Sequence, residues 1–409
     1  MAGSSEETDV PDDASTQPEP RPTLSAGDSS GGGSGRTGAP AATAARASVR
    51  ERDWIAVAAK VASLAIALFL FVLAIQLMKE GAKAIGPELS DSPLFSNAFS
   101  TLGAGWLGAY VVLSGSPIAA VALALFDGGA TNELQTFTML SGSRLGASFV
   151  VLVAGFVYAL RNRERNRGES IGMGVLALAL SAIVYVPGTV VGYGILKSGV
   201  LDGVNWHTSS EVRSVVDVIW GGALEFGRER LPGWTLLPIG LAIVLLSFRF
   251  LDRVLPQLDG ERHGSARIER LKRPWSMFLI GCIVATLTLS VSVALTLLVP
   301  LASLGYLKRR EAIPYIMGAN ITTLADTLVA AMVIGNAVAV HIVLAQGIAV
   351  AIVSLLLLAF TYRPLVEGVM QLDEWVVASN RRLWLFVLML FVLPAILLTS
   401  GIWIGPITG

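Results

Sequence analysis

One cysteine in 409 residues, Cys282, and three histidines, His207, His263 and His341, leave little material for metal or redox chemistry. A lone cysteine has no partner for an internal disulfide and cannot build a thiolate metal set. The histidines stand far apart and match no ligand spacing. No Ser-His dyad, Cys-His pair or phosphate-binding loop occurs at a recognisable spacing, so an enzyme is not expected and no cofactor is implied. Charge is scarce as well: charged residues make up 15% of the chain, and 30 Lys and Arg balance 30 Asp and Glu. Without a basic face or block, nucleic acid is not an expected partner.

Apolar residues fill the space. They form 53% of the chain, mean hydropathy is +0.65, and several runs reach the roughly 20 residues that cross about 30 Å of hydrocarbon. The lipid bilayer is therefore the expected surrounding. Length and polar gaps place crossings at Trp54 to Met78, Gln135 to Leu160, Ile171 to Leu196, Trp234 to Leu251, Ala312 to Gly335, Val338 to Phe360 and Leu383 to Ile404. Ala98 to Phe126 and Trp275 to Ser303 are too long for one upright crossing and too short for two, and each is polar at its midpoint. A re-entrant hairpin fits both, with a long tilted helix as the alternative.

The first 50 residues, rich in Ser, Gly, Pro and Thr with "GGGSG" at Gly31 to Gly35, read as a disordered tail. No cleavable signal peptide is evident, and Arg46, Arg50 and Arg52 before the first apolar run put the N-terminus in the cytoplasm of a multi-pass plasma-membrane protein. "RNRERNR" at Arg161 to Arg167, the Arg249 to Arg273 loop and "KRR" at Lys308 to Arg310 are basic and belong on that same side. The expected organisation is a first transmembrane repeat over 51–200, an outer connection over 201–233 read as an amphipathic helix or loop, a second repeat over 234–362, and a linker with a last crossing over 363–409.

Small polar residues inside apolar spans carry the function. "GANITTLADTL", Gly318 to Leu328, is one such run. A shift of 176 positions lays Ser114 and Ser116 of "LSGS" on Ser290 and Ser292 of "LSVS", Gly129 on Gly305, and Gly142 of "GSRLGAS" on Gly318. With hairpins on opposite sides, this describes an inverted-topology repeat. The expected fold is an all-α polytopic membrane protein with inverted repeats, two re-entrant hairpins and broken helices. Gly142 and Gly318 are expected to permit the breaks. Carbonyls freed there, with Ser and Thr hydroxyls, suit sodium, while N–H groups at half-helix N-termini suit an anion. Without the repeat, the serines read as small residues that let helices approach closely.

"EAIPYIMGANITTLADTLVAAM", Glu311 to Met332, resembles the signature of the type II sodium-dependent phosphate cotransporters and their prokaryotic relatives. That family repeats a Gln-Ser-Ser-Ser motif followed by Gly-(Ala/Ser)-Asn-Ile-Gly-Thr-Thr, the two copies inverted about one substrate and sodium site. Resemblance covers about Leu113 to Val151 and Leu289 to Met332. Leu113 and Leu289 stand where the family has glutamine, Arg144 stands where the first repeat should have asparagine, and the internal glycine is missing before Thr322 and Thr323.

The resemblance implies symport of sodium with inorganic phosphate or a similar small anion. A non-transporting binding or regulatory protein, or a symporter of a different anion, is the alternative. Candidate substrate residues are Ser114, Ser116, Gly142, Ser143, Arg144, Ser290, Ser292, Gly318 and Asn320. Candidate sodium residues are Ser114, Ser148, Ser290, Thr322, Thr323 and Asp326. Arg144, within a span, would cost about 2.5 to 3.5 kcal/mol facing lipid, so it should meet an anion or pair with Asp326, Asp127 or Glu133, or snorkel to the interface. Asp326 is either a sodium ligand, the counter-ion of Arg144, or a carboxylate held by hydrogen bonds. Sodium stoichiometry and oligomeric state are not legible.

Overall fold

The computed structural model describes residues 39–161, 167–204, 206, 210–254, 273–288, 290–303 and 305–405. It divides into two units, Met1–Ala56 and Val57–Gly409. In the first, the described residues are the start of α1 (Ala39–Ser90). The expected tail therefore lies partly outside the described residues, and its last part is helical instead. The alanine-rich run "AATAARA" at Ala41 to Ala47 has the propensity for that.

Among the described residues, seven helical stretches are long and apolar enough to cross a membrane: Ala58–Ser90, Glu133–Arg161, Gly168–Lys197, Gly233–Phe250, Arg309–Ile334, Ala337–Phe360 and Asn380–Leu398. These correspond to the seven expected crossings; five match within three residues at each end, the first runs on to Ser90 rather than Met78, and the last ends at Leu398 rather than Ile404. The described residues contain helices and no strand. The chain is an all-α polytopic membrane protein.

Between the first two crossings lies a hairpin of α2 (Ala98–Val112) and α3 (Gly115–Asp127). Asn97 starts α2 with a capping box shared with Ser100. The tip reverses within two residues, Leu113 in the left-handed region at φ 55° and Ser114 extended at φ −155°. A 15-residue helix rises only about 22 Å, so α2 stops short of crossing. The next crossing is α4 (Glu133–Ala147) followed by α5 (Phe149–Arg161), and α6 (Arg167–Lys197) returns. Then come α7 (Ser210–Arg230), a helix where either a helix or a loop is expected, and α8 (Leu236–Val254).

The second hairpin is α9 (Pro274–Thr288), then α10 (Val291–Thr296) and α11 (Leu298–Ser303). It is followed by α12 (Arg309–Thr322), α13 (Ala325–Ile334) and α14 (Ala337–Phe360). Helices α2, α3, α4 and α5 begin at Ala98, Gly115, Glu133 and Phe149; α9, α10, α12 and α13 begin at Pro274, Val291, Arg309 and Ala325, each 176 positions later. Gly129 and Gly305 close the two hairpins with φ of 79° and 77°. Among the described residues three long crossings separate the hairpins, so a chain that enters and returns at each inserts them from opposite sides. The repeat is inverted.

Gly142 and Gly318 correct one expectation. Both lie inside continuous helices, and the breaks fall further on, at Ser148 between α4 and α5 and at Thr323 and Leu324 between α12 and α13. The glycines serve close packing instead. A Cβ on Gly142 would lie 2.0 Å from the Leu102 carbonyl oxygen, and one on Gly318 would lie 2.0 Å from that of Phe278. Gly105 and Gly281 return the contact, since a Cβ on either would lie 2.1 Å from the carbonyl oxygen of Met139 or Tyr315 respectively. Each hairpin's first helix is thus pressed against its broken crossing at backbone contact, as small residues allow in membranes. An amphipathic α15 (Tyr362–Val377), the last crossing α16 (Asn380–Leu398) and a short α17 (Ser400–Trp403) complete the chain. α16 leaves Trp384, Leu388, Met389 and Ile396 exposed, an apolar outer face that lipid solvates.

Candidate functional site

The two hairpin tips meet. The Ser292 hydroxyl lies 3.5 Å from the Leu113 carbonyl oxygen, a contact between repeats. Around it opens a cavity of about 620 Å³ whose walls include Ser114, Ser116, Ser290 and Ser292. Leu113, Val112, Val293 and one side of α8, with Phe248 and Arg249, complete it. Ser114 and Ser290 occupy the same station, each the extended residue before its helix. The Ser290 hydroxyl accepts from the Val293 amide at 3.3 Å, whereas Ser114 makes no such cap bond. Four half-buried hydroxyls, two from each repeat, therefore face one space.

Arg144 stands behind this wall. It is buried, with 2% of its side chain exposed. Nη1 donates to the Ser116 hydroxyl at 3.2 Å, and Nη2 donates to Asp326 Oδ1 at 3.4 Å and to the Thr327 hydroxyl. Thr327 also binds Asp326 Oδ1, through its amide at 2.6 Å and its hydroxyl at 3.0 Å. Of the partners expected for Arg144, the structure selects Asp326. Asp127 instead pairs with Lys79 at 2.8 Å, and Glu133 with Lys197 at 3.8 Å. Asp326 Oδ2 is buried and has no partner among the described residues, and Asp326 borders a smaller cavity of about 110 Å³ that is otherwise apolar except for Ser247.

A third polar group lies where the helices break. Ser148 and Ser181 hydroxyls bond each other, and Asn320 Nδ2 donates to Ser181 at 3.3 Å. The Tyr185 hydroxyl donates to the Asn320 carbonyl at 2.8 Å and lies 3.3 Å from the Thr323 hydroxyl, which itself donates to that carbonyl at 2.9 Å. All five residues are buried. α6 carries Ser181 and Tyr185 between the two breaks, so one helix joins Ser148 of the first repeat to Asn320 and Thr323 of the second.

The expected site residues thus separate. Ser114, Ser116, Ser290 and Ser292 share the cavity; Arg144 and Asp326 form a pair beside it; Ser148, Asn320 and Thr323 form the nest at the breaks. Ser143 bonds back to the Leu140 carbonyl within its own helix, and Thr322 bonds the Cys282 carbonyl at 3.2 Å. Gly142 and Gly318 are packing positions. Leu289 lies outside the described residues.

Ser181, Tyr185, Thr327 and Arg249 were not singled out from the sequence. Ser181 and Tyr185 are four apart in an apolar span, the spacing that places two polar groups on one helix face, and that signal was present. Arg249 carried only a topological reading.

Paired hairpins inserted from opposite sides, with tips meeting at a polar cavity, define a membrane protein of the inverted-repeat transporter architecture. Over residues 243–371 the sequence matches the family model described as Na+/Pi-cotransporter, which supports membership of the Na+/Pi cotransporter family. The matched span runs from within α8 through α14 into α15, and so contains the second hairpin and the second broken crossing. No curated protein and no solved structure matches the chain.

Proposed function

We propose that the chain is a symporter that couples sodium entry to uptake of inorganic phosphate, in the plasma membrane and with its N-terminus cytoplasmic. The observation that carries this reading is the meeting of the hairpin tips, which brings two serines from each repeat to one cavity. Hydroxyls donate to anion oxygens, and α3, whose first turn borders the cavity, adds the positive end of a helix dipole.

Sodium takes the nest at the breaks. Oxygens of Ser148, Ser181, Asn320 and Thr323 come from both repeats and from α6, so an ion there feels the arrangement of all three. Asp326 keeps one oxygen on Arg144 and Thr327 and has a second without a partner, which makes it a further sodium ligand. Alternating access follows from movement of the hairpins and broken helices against the remaining crossings. The membrane potential contributes about 2.3 kcal/mol per charge per 100 mV.

Leu113 favours a second reading, because an apolar side chain borders the cavity where the resembling family carries glutamine. Under it the cavity takes another anion, or binds without transport.

Accessibility of the cavity separates these readings. On a Cys282→Ala background, Ser292→Cys and Ser114→Cys are treated with a polar thiol reagent, with and without sodium and phosphate. The proposal expects labelling of both positions that phosphate suppresses, more strongly with sodium present. Labelling unaffected by phosphate but suppressed by another anion supports the second reading.

A further inference from the structure

We propose that Arg249 supplies the positive charge that holds the anion in the serine cavity, and that Arg144 does not touch the anion. This rests on the reading of that cavity as the anion site.

Arg144 is committed elsewhere. Its two Nη atoms serve Ser116, Asp326 and Thr327, its charge faces a carboxylate, and it is not among the residues that line the cavity. The Arg144 and Asp326 pair is neutral as a unit. It fixes the Ser116 hydroxyl and holds the two repeats in register.

Among the described residues that line the cavity, Arg249 is the one ionisable side chain. It is exposed, and among the described residues its side chain takes part in no ion pair or hydrogen bond. Its backbone is nevertheless well placed. Two residues earlier on α8, the Ser247 hydroxyl donates to the Ala67 carbonyl at 2.7 Å, and the neighbouring Phe248 ring meets Phe71 edge-on at 6.0 Å. This part of α8 is anchored on α1, and the exposed guanidinium can fold over the mouth.

Four neutral hydroxyls leave an anion's charge uncompensated. A guanidinium adds a two-pronged, charge-assisted contact, roughly twice as strong as a neutral hydrogen bond. Arg249 then discriminates charged oxyanions from neutral polyols of similar size, which the serines alone would not do.

The test is phosphate binding to the purified full chain in sodium buffer, by calorimetry, for the wild type, Arg249→Gln and Arg249→Lys. Thermal melting of each protein reports on folding. The expected result is a dissociation constant raised about tenfold or more by Arg249→Gln, with most affinity kept by Arg249→Lys and melting unchanged in both. Wild-type binding kept in full by Arg249→Gln overturns this inference alone. A wild type that binds no phosphate overturns the reading of the cavity as a phosphate site, and this inference with it.

Discussion

Arg144 and Asp326 lie 182 positions apart in the chain and 3.4 Å apart in the fold. Each belongs to a broken crossing, one from each repeat, and each is almost completely buried. Two charges that would be costly alone in a membrane interior are tolerable because they face each other. Their pairing also aligns the halves that present the serines.

Breaking that pair should destabilise the protein sharply. Arg144→Gln or Asp326→Asn strands one buried charge, at a cost of about 3 to 5 kcal/mol. The double variant should be more stable than the sum of the two losses allows, by about 1 kcal/mol or more, in thermal unfolding of detergent-purified protein. Additive losses would show that the residues act independently.

The packing glycines give a symmetric prediction. Gly142→Ala and Gly318→Ala each push a methyl group to within 2.0 Å of a backbone oxygen, so both should lower stability by about 1 to 3 kcal/mol. Gly194→Ala, with open space around it inside α6, should instead raise stability slightly, by about 0.5 to 1 kcal/mol. Melting temperatures of the three variants, read together, test whether the two repeats pack alike.

Asp373 on α15, outside the crossings, should make stability depend on pH. Burial pushes its carboxyl up to about 6, against the opposing pull of Arg309, and with reinforcement from Glu169 and Glu374. Its ion pair with Arg309 joins α15 to the start of α12, and one carboxyl oxygen has no partner among the described residues. The folded protein therefore binds this proton more tightly than the unfolded chain does. Asp373 contributes most below about pH 4, and its contribution declines as pH rises through about 6. The melting temperature of the wild type minus that of Asp373→Asn should fall between pH 4 and 6 and level off above 7. A difference that stays constant or rises over that range contradicts the assignment.

Tyr185 should matter to sodium rather than to phosphate. Tyr185→Phe removes the hydroxyl that holds the Asn320 carbonyl and neighbours Thr323. The sodium concentration for half-maximal uptake should rise several-fold, with the apparent phosphate affinity at saturating sodium little changed. An unchanged sodium dependence would remove the nest from the sodium path.

Much of this architecture was legible in the sequence because hydrocarbon thickness dictates helix length, and polar residues inside apolar runs are conspicuous. The seven crossings, both hairpins and the 176-residue shift were readable on that ground. The location of the helix breaks was not. Gly142 and Gly318 are the residues best able to break a helix, yet each sits where a neighbouring backbone carbonyl allows no side chain, and the chain yields at Ser148 and Thr323 instead. Close backbone approach and backbone freedom both call for glycine, and a single sequence does not distinguish them. Arg249 illustrates a similar ambiguity. A basic residue at the end of a crossing signals topology, and only the folded chain shows that it borders the same cavity as the serines.

Uptake of radiolabelled phosphate into proteoliposomes, driven by an inward sodium gradient and compared with an equal potassium gradient, tests the central claim most directly. The symporter reading predicts accumulation with sodium only, and its loss in a protein carrying Ser116→Ala and Ser292→Ala together. A well-folded wild type that accumulates no phosphate under either gradient would contradict it.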